Sequence, residues 1–146
     1  MANHSIIVGS MLGASEYVAE AIANELSNHG HTSQIHFEPD LTSIEQNSIW
    51  IICTSTHGAG ELPDNIQNFA KQIQQADLHN VNFVLIGLGD SSYDTFCGGA
   101  KEIQRYCEAS GAKIIHAPCL IDVLNHPIPE EFALEWLRTT YLSNGN

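Results

Sequence analysis

The sequence predicts an α/β fold in which helices cover both faces of a doubly wound, five-stranded parallel sheet with strand order 2-1-3-4-5. Strand-like apolar runs alternate with amphipathic, helix-like runs along all 146 residues, which is typical of chains that build parallel sheets. The run at residues 49–53 is apolar throughout, as expected for a strand buried on both faces. No linker or internal repeat interrupts this alternation, so we expect one domain over residues 1–146.

Each element follows from its local pattern. The expected strands are short apolar or alternating runs at residues 5–9, 33–37, 49–53, 81–87 and 113–120, the last interrupted near Pro118. The expected helices carry apolar residues at three- and four-residue spacing and cover residues 16–29, 65–75, 100–109 and 130–141. In the first helix Val18, Ile22 and Leu26 form the apolar face, and Gly30 is expected to end it. In such a sheet, ligands bind at the carboxyl ends of the strands.

The net charge of the chain argues against some classes of binding partner. The chain has 5 Lys and Arg against 17 Asp and Glu, a net charge of -12. Nucleic acid and anionic membranes both require basic patches, so neither is expected as a partner. The acidic surplus favours a positively charged protein partner, or serves solubility alone. It also opposes self-association, so we expect a monomer.

Targeting signals and cysteine spacing indicate the compartment. No apolar run approaches the roughly 18 residues that span a bilayer, and the chain begins without the basic region of a signal peptide. Cys53, Cys97, Cys107 and Cys119 show no CxxC spacing, so no metal site is expected. Cys53, Cys107 and Cys119 fall in expected strands or helices, which predicts reduced core residues in a cytoplasmic protein.

The loop after the first strand suits a phosphate. Residues 9–16 carry Gly13, Ser10 and Ser15 and lead into a helix N-terminus, where free N–H groups and the helix dipole favour an anion. The loop is neither GxGxxG nor a Walker loop, since its glycines stand only at 9 and 13 and it lacks Lys; a dinucleotide or a nucleoside triphosphate is therefore disfavoured. The alternative is an ordinary helix capped by Ser15.

The loop after the third strand, residues 54–64, contains Gly58 and Gly60, which let the backbone approach a ligand closely. His57 is its one residue that could carry positive charge. No Ser or Cys nucleophile in a recognisable motif accompanies it, so we expect its ring to pack against a ligand rather than to act as a base. The alternative is an exposed loop histidine.

The loop after the fourth strand, residues 88–99, is the most distinctive stretch of the chain. One aromatic residue, Tyr93, stands among small residues, acids and hydroxyls, without any Lys or Arg. This composition favours a loop that holds a flat ring, against the alternative of a surface loop with a half-buried Tyr93. Together the three loops suit a mononucleotide with a large planar ring.

These three loops resemble those of the flavodoxin family. Residues 10–16 resemble its phosphate loop, and residues 55–65 resemble the second flavin loop of the flavodoxin-like domains in diflavin reductases. Leu88-Gly89-Asp90-Ser91-Ser92-Tyr93 with Phe96-Cys97-Gly98 resembles the ring-stacking loop. The resemblance covers essentially the whole chain and indicates a stand-alone flavodoxin-like domain.

The resemblance implies FMN as cofactor, with its phosphate on the first loop and its isoalloxazine ring between the other two. Tyr93 is expected to stack on one face of the ring, and His57 to cover the other. Backbone of Gly58, Gly60, Gly89 and Asp90 is expected to line the polar edge of the ring. The full set of expected cofactor-binding residues is Ser10, Met11, Leu12, Gly13, Ala14, Ser15, Thr56, His57, Gly58, Ala59, Gly60, Leu88, Gly89, Asp90, Tyr93, Phe96 and Cys97.

The resemblance also implies an electron carrier rather than a stand-alone enzyme, one that shuttles single electrons between a reductase and an acceptor enzyme. The three loops hold Glu61, Asp64, Asp90 and Asp94 but no Lys or Arg, and nearby negative charge disfavours the added charge of full reduction. We therefore expect a low potential for that step, and basic reductases and acceptors as partners. Many family members have Thr where this chain has Leu12, so we expect modest FMN affinity.

Three other functions fit the sequence less well. A phosphorylation-dependent receiver domain shares the strand order, but the acids it needs are replaced by Gly9-Ser10 and Cys53-Thr54. An FMN-dependent quinone or azo reductase would use hydride transfer, for which the chain is short and lacks a nicotinamide motif. A non-catalytic interaction module with a weak or vestigial FMN site has Leu12 as its only support.

Overall fold

The computed structural model describes residues 2–142. Within this range the strands are β1 (Asn3–Gly9), β2 (Thr32–His36), β3 (Ile49–Thr54), β4 (Asn82–Gly89), β5 (Lys113–Ile114) and β6 (Cys119–Asp122). The helices are α1 (Ala14–Asn28), α2 (Asp64–Ile73), α3 (Gly98–Ala109) and α4 (Pro129–Trp136). A 3₁₀ turn covers Leu41–Ser43, and a π-helical turn, Leu137–Tyr141, extends α4. No helix of residues 2–142 is both long and apolar enough to cross a membrane.

The sheet has the predicted order, β2-β1-β3-β4-β5, and every strand pair in it is parallel. The predicted fifth strand is the one difference, since it consists of β5 and β6, which both pair with β4. The Ile115 N–H still donates to the Phe83 carbonyl of β4 at 3.0 Å, and the chain leaves the ladder at residues 116–118. Pro118 lacks the N–H that a continuous strand would donate there, which explains the interruption.

The core lies on both faces of the sheet because side chains alternate along each strand. Ile7, Ile52 and Leu85 are buried against α2 and α3 on one face. Their sequence neighbours, such as Ile6 and Ile51, are buried against α1 and α4 on the other. The strands are therefore apolar at consecutive positions, which is the pattern that predicted a doubly covered sheet.

The helices match the predicted segments with shifts of a few residues. In α1 the side chains of Val18, Ile22 and Leu26 are buried as predicted. After α4 the helix widens, and the Leu142 N–H donates to the Leu137 carbonyl five residues earlier. This turn buries Tyr141, whose hydroxyl lies 2.7 Å from His4 Nε2 on β1. The C-terminal helix is thereby fixed to the start of the sheet.

The topology determines where a ligand can bind. Because the strands are parallel, β1, β3, β4 and β6 all end at the same edge of the sheet, at Gly9, Thr54, Gly89 and Asp122. The loops that follow these strands meet at that edge, and all four of them lead into helix N-termini. A crevice at this edge is the expected ligand position in an open α/β sheet.

Candidate functional site

Two adjoining cavities open at the edge where these strands end. The larger has a volume of about 380 Å³ and the smaller about 250 Å³. Thr56, Gly58, Gly89 and Asp90 line both, so the two cavities form one cleft. The cleft lies where the first, second and third site loops meet, which are the loops after β1 (residues 10–13), β3 (55–63) and β4 (90–97).

The larger cavity lies between the second and third loops. Ala59 borders it on one side, and Tyr93, Thr95 and Cys97 border it on the other. Tyr93 is 62% exposed, so most of this aromatic residue is open to solvent at the rim of the cavity.

The third loop is held in shape by short-range hydrogen bonds. Asp90 Oδ1 accepts from the Ser92 N–H at 2.9 Å and from the Ser92 hydroxyl at 2.6 Å, an arrangement typical of Asx turns. The Tyr93 N–H donates to the Asp90 carbonyl at 3.1 Å. At the end of β6, Asp122 Oδ1 accepts a hydrogen bond from the Ser91 N–H. Hydrogen bonding by Ser91 lowers the pKa of the Asp122 carboxyl. The loop is thus braced from within and from β6.

The end of the third loop packs against the end of β4, the strand that precedes this loop. A Cβ on Gly89 would lie 2.7 Å from the Cys97 backbone nitrogen, so only glycine permits this approach. Cys97 itself has φ 53°, the only positive φ of a non-glycine residue among residues 2–142. Its thiol is buried, which raises its pKa to about 11, so Cys97 contributes a neutral wall to the larger cavity.

The second loop forms a small hairpin. The His57 N–H donates to the Glu61 carbonyl at 2.7 Å, and the Glu61 N–H returns a bond to the His57 carbonyl at 2.8 Å. At the tip Gly60 has φ 112°, and a Cβ there would lie 2.9 Å from Thr95. The tip therefore packs directly on the third loop and fixes the width of the larger cavity.

The first loop leaves the N-terminus of α1 uncapped. The residue before the helix is Gly13, with φ 94°, and no side chain of residues 2–142 caps the first turn. Ser15 lies inside the helix, and its hydroxyl is 2.6 Å from Ser55 Oγ, so the alternative of Ser15 as the cap is wrong. The first N–H groups of a helix have no partner within it, and here they are left for a ligand.

Asn65 positions the first loop, and the sequence did not single it out for this role. Its Oδ1 accepts from the Ser10 N–H at 2.8 Å. Its Nδ2 donates to the Val8 carbonyl at 2.8 Å and to the Phe37 carbonyl at 2.9 Å. One side chain on α2 thus joins the ends of β1 and β2 to the loop that leads to α1.

Most of the predicted site residues line the cleft. Met11, Leu12, Ala14, His57 and Leu88 line the smaller cavity. The predicted residues that line neither cavity are Ser10, Gly13, Ser15, Gly60 and Phe96. The first three shape or adjoin the N-terminus of α1, Gly60 forms the hairpin tip, and Phe96 is half-buried against the core beside α2 and α3.

Three cleft residues were not predicted: Ser55, Thr95 and Val123. Val123 directly follows β6, and its N–H donates to the Gly89 carbonyl at 2.9 Å. The parallel order was the available signal, since it requires the fifth strand position to end at the same edge as the others. Val123, the first residue of the loop that follows β6, therefore belongs to the cleft.

The side chains that line the cleft include an acid but no base. Asp90 lies between the two cavities, and no Lys or Arg is found among their lining residues. Within residues 2–142, Lys71 lies on α2 and Lys101 and Arg105 lie on α3. No cluster of His, Cys, Asp or Glu within the same range could hold a metal ion.

The sequence model of the flavodoxin family matches residues 6–136, and this chain belongs to that family. Among its relatives, Protein MioC of Escherichia coli (strain K12) is 43% identical over 139 residues, which are 94% of this chain and 95% of that protein. Flavodoxin YqcA of the same organism is 33% identical over 94% of this chain and 95% of its own length. The solved structure of a mutant flavodoxin from Pseudomonas aeruginosa is 31% identical and has a TM-score of 0.85, covering 93% of this chain and 94% of its own.

Family membership establishes a flavodoxin-like electron-transfer protein with FMN as its cofactor. The residues present fit this cofactor. The uncapped first turn of α1 suits a phosphate, and the adjoining cavities, one with an exposed aromatic ring at its rim, suit a chain with a flat ring at its end.

Proposed function

We propose that this chain carries single electrons between a basic reductase and a basic acceptor enzyme, with FMN held in the cleft by the three predicted loops. When bound, FMN supplies the redox chemistry. The observation that carries the proposal is that the uncapped α1 N-terminus borders the smaller cavity through Ala14, and that this cavity adjoins the larger one, which the exposed Tyr93 rims.

The first loop is proposed to bind the phosphate. The Ser10 Oγ accepts a hydrogen bond from the Gly13 N–H at 2.9 Å, which leaves the hydroxyl hydrogen to be donated to a phosphate oxygen. The first-turn N–H groups of α1 add donors, and the helix dipole favours the negative charge. Leu12 is 97% exposed and supplies no polar contact, which supports the expectation of modest affinity.

The second and third loops are proposed to hold the ring. Tyr93 would stack on one face, as expected for two aromatic systems, while His57 lies at the smaller cavity and would cover the other. The backbone of Gly58, Gly60, Gly89 and Asp90 would meet the polar edge. Cys97 closes the larger cavity with a thiol that burial keeps protonated at neutral pH, since its pKa is raised to about 11.

The charges of the cleft support the proposed direction and partners. Asp90 borders both cavities, and Glu61 and Asp94 stand on the same loops. Negative charge close to the ring opposes full reduction, which makes the reduced carrier a strong electron donor. With a net charge of -12, the surface attracts basic proteins, and the rate of electron exchange should fall as salt rises.

Titration of the purified chain with FMN tests the proposal. We expect saturable binding with quenched flavin fluorescence, and Tyr93→Ser should weaken binding about tenfold because it removes a stacking partner. Tyr17→Ser is the matched control, since Tyr17 is 64% exposed against 62% for Tyr93 but lines neither cavity. A chain that binds no FMN at high micromolar concentration would instead be an interaction module with a vestigial site.

We further propose that the chain acts as a monomer in the cytoplasm. Its net charge of -12 opposes self-association. The four cysteines are free and buried, which suits a reducing compartment. Sedimentation at several protein concentrations tests the first point, and a dimer at micromolar concentration would contradict it.

A further inference from the structure

An apolar groove lies beside the FMN cleft. It has a volume of about 260 Å³ and is lined by Leu12, Ala14, Tyr17, Pro127, Ile128, Pro129 and Glu130. Leu12 and Ala14 also line the smaller cavity. The groove and the cleft are therefore continuous surfaces that share the first loop.

The large side chains of this groove are unusually exposed. Leu12 is 97% exposed, Tyr17 64% and Ile128 49%. Single exposed apolar residues are ordinary, but several that line one groove indicate an interaction site. Pro127 and Pro129 flank Ile128 and restrict the backbone on either side of it, so this wall is ordered before any partner binds.

The helices beside the groove carry more acidic than basic side chains. Glu16 and Glu20 lie on α1, which has no Lys or Arg, and α4 carries three further glutamates and no base. Lys71, Lys101 and Arg105 lie on α2 and α3, which cover the opposite face of the sheet. The base nearest in sequence to α4, Arg138, is held by Glu25 through bonds of 3.0 and 3.1 Å.

This distribution of charge indicates which kind of molecule binds in the groove. A second copy of the chain would bring two acidic rims together, and like charges in contact are unfavourable. A protein that presents an apolar side chain surrounded by Lys and Arg matches both the groove and its rim. Leu12 places such a protein at the border of the FMN cleft.

We propose that the groove of Leu12, Tyr17 and Ile128 is the docking surface for the basic redox proteins with which this chain exchanges electrons. The inference rests on the proposed function and identifies the surface at which the partners bind. The partner's apolar side chain occupies the groove, its basic residues face Glu16 and Glu130, and the electron passes from reduced FMN to the oxidised centre of the partner.

The test uses ferric cytochrome c, a basic haem protein, as the probe. The FMN-loaded chain is reduced with dithionite, and stopped-flow absorbance follows the transfer of one electron from the flavin to each haem iron. The double variant Tyr17→Ser, Ile128→Ser should lower the second-order rate constant about 5- to 20-fold, because truncation of central apolar residues weakens docking. The FMN affinity and the rate with ferricyanide, a small oxidant that needs no groove, should stay unchanged.

Two controls match the groove variants. Ile115→Ser removes an apolar side chain that is 39% exposed outside the groove, and should leave the cytochrome c rate unchanged. Glu16→Lys should slow cytochrome c more than Glu108→Lys, which makes the same charge change at an exposed position on α3. Amide shifts in an NMR titration with ferrous cytochrome c should concentrate at residues 12–20 and 124–131.

The outcomes separate the two proposals. The docking surface alone is overturned if the wild type reduces both oxidants and the double variant reduces cytochrome c as fast as the wild type does. An equal slowing by Ile115→Ser, shifts centred elsewhere, or a wild-type dimer dissociated by the double variant also overturns it. A wild-type chain that binds FMN but passes electrons to neither oxidant overturns the proposed function instead.

Discussion

Asn65 is the side chain on which the shape of the first loop most depends. Asn65→Ala removes three hydrogen bonds, from the Ser10 N–H and to the carbonyls of Val8 and Phe37, at 2.8, 2.8 and 2.9 Å. Each bond contributes about 0.5–1.5 kcal/mol net, and partly buried groups left unpaired cost about as much. Since part of this environment is exposed, we expect the free energy of unfolding to fall by about 2–3 kcal/mol.

Urea denaturation of the chain without FMN measures this change, and the midpoint of thermal unfolding should fall by about 6–10 °C. Asn68→Ala is the control, because Asn68 lies on the same helix with an exposed side chain and should change stability by less than about 0.5 kcal/mol. FMN affinity should also fall in Asn65→Ala, since the Ser10 N–H is no longer held. A free energy of unfolding within about 0.5 kcal/mol of the wild type would refute the reasoning.

Three further variants test a close backbone approach, a buried histidine and the charge of the cleft. Gly89→Ala should lower stability by about 2–3 kcal/mol, because its Cβ would lie 2.7 Å from the Cys97 nitrogen; in a urea melt, Asp94→Asn in the same loop should cost little, and equal losses would contradict the prediction. Burial lowers the pKa of His4 below 6.5, so the unfolded chain binds more protons than the folded chain. The free energy of unfolding should therefore fall as the pH drops below about 6.5, by up to about 1.4 kcal/mol per pH unit. His4→Gln should flatten this slope, and an unchanged slope would refute the assignment to His4. Asp90→Asn should raise the potential of full FMN reduction by about 20–50 mV in a redox titration, and a lowered potential would exclude the electrostatic explanation.

The fold was largely predictable because its signals are local. A strand such as β3 is apolar at every position, since a sheet covered on both faces leaves no polar side. The apolar face of α1 follows from residues four apart. The fifth strand was predicted less well, because its division into β5 and β6 depends on pairing with β4, which a short apolar run does not specify.

The site was predictable as a set of loops but not as a set of contacts. Tyr93 was singled out because an aromatic residue in a small, polar loop is unusual, and it does rim the larger cavity. Ser15 has the composition of a helix cap, but its hydroxyl pairs with Ser55, forty residues away. Asn65 reaches Ser10 across fifty-five residues, and no local pattern records such a contact.

The sequence by itself determined the parallel sheet, its helices and the three loops that resemble those of flavodoxins, because periodicity and loop composition are properties of neighbouring residues. Only the tertiary structure decided which of these residues meet. It left the first turn of α1 uncapped, brought Val123 into the cleft and placed Leu12 outward beside Tyr17 and Ile128. These outcomes depend on which strand ends are neighbours in space, and that is settled by packing between elements far apart in the chain.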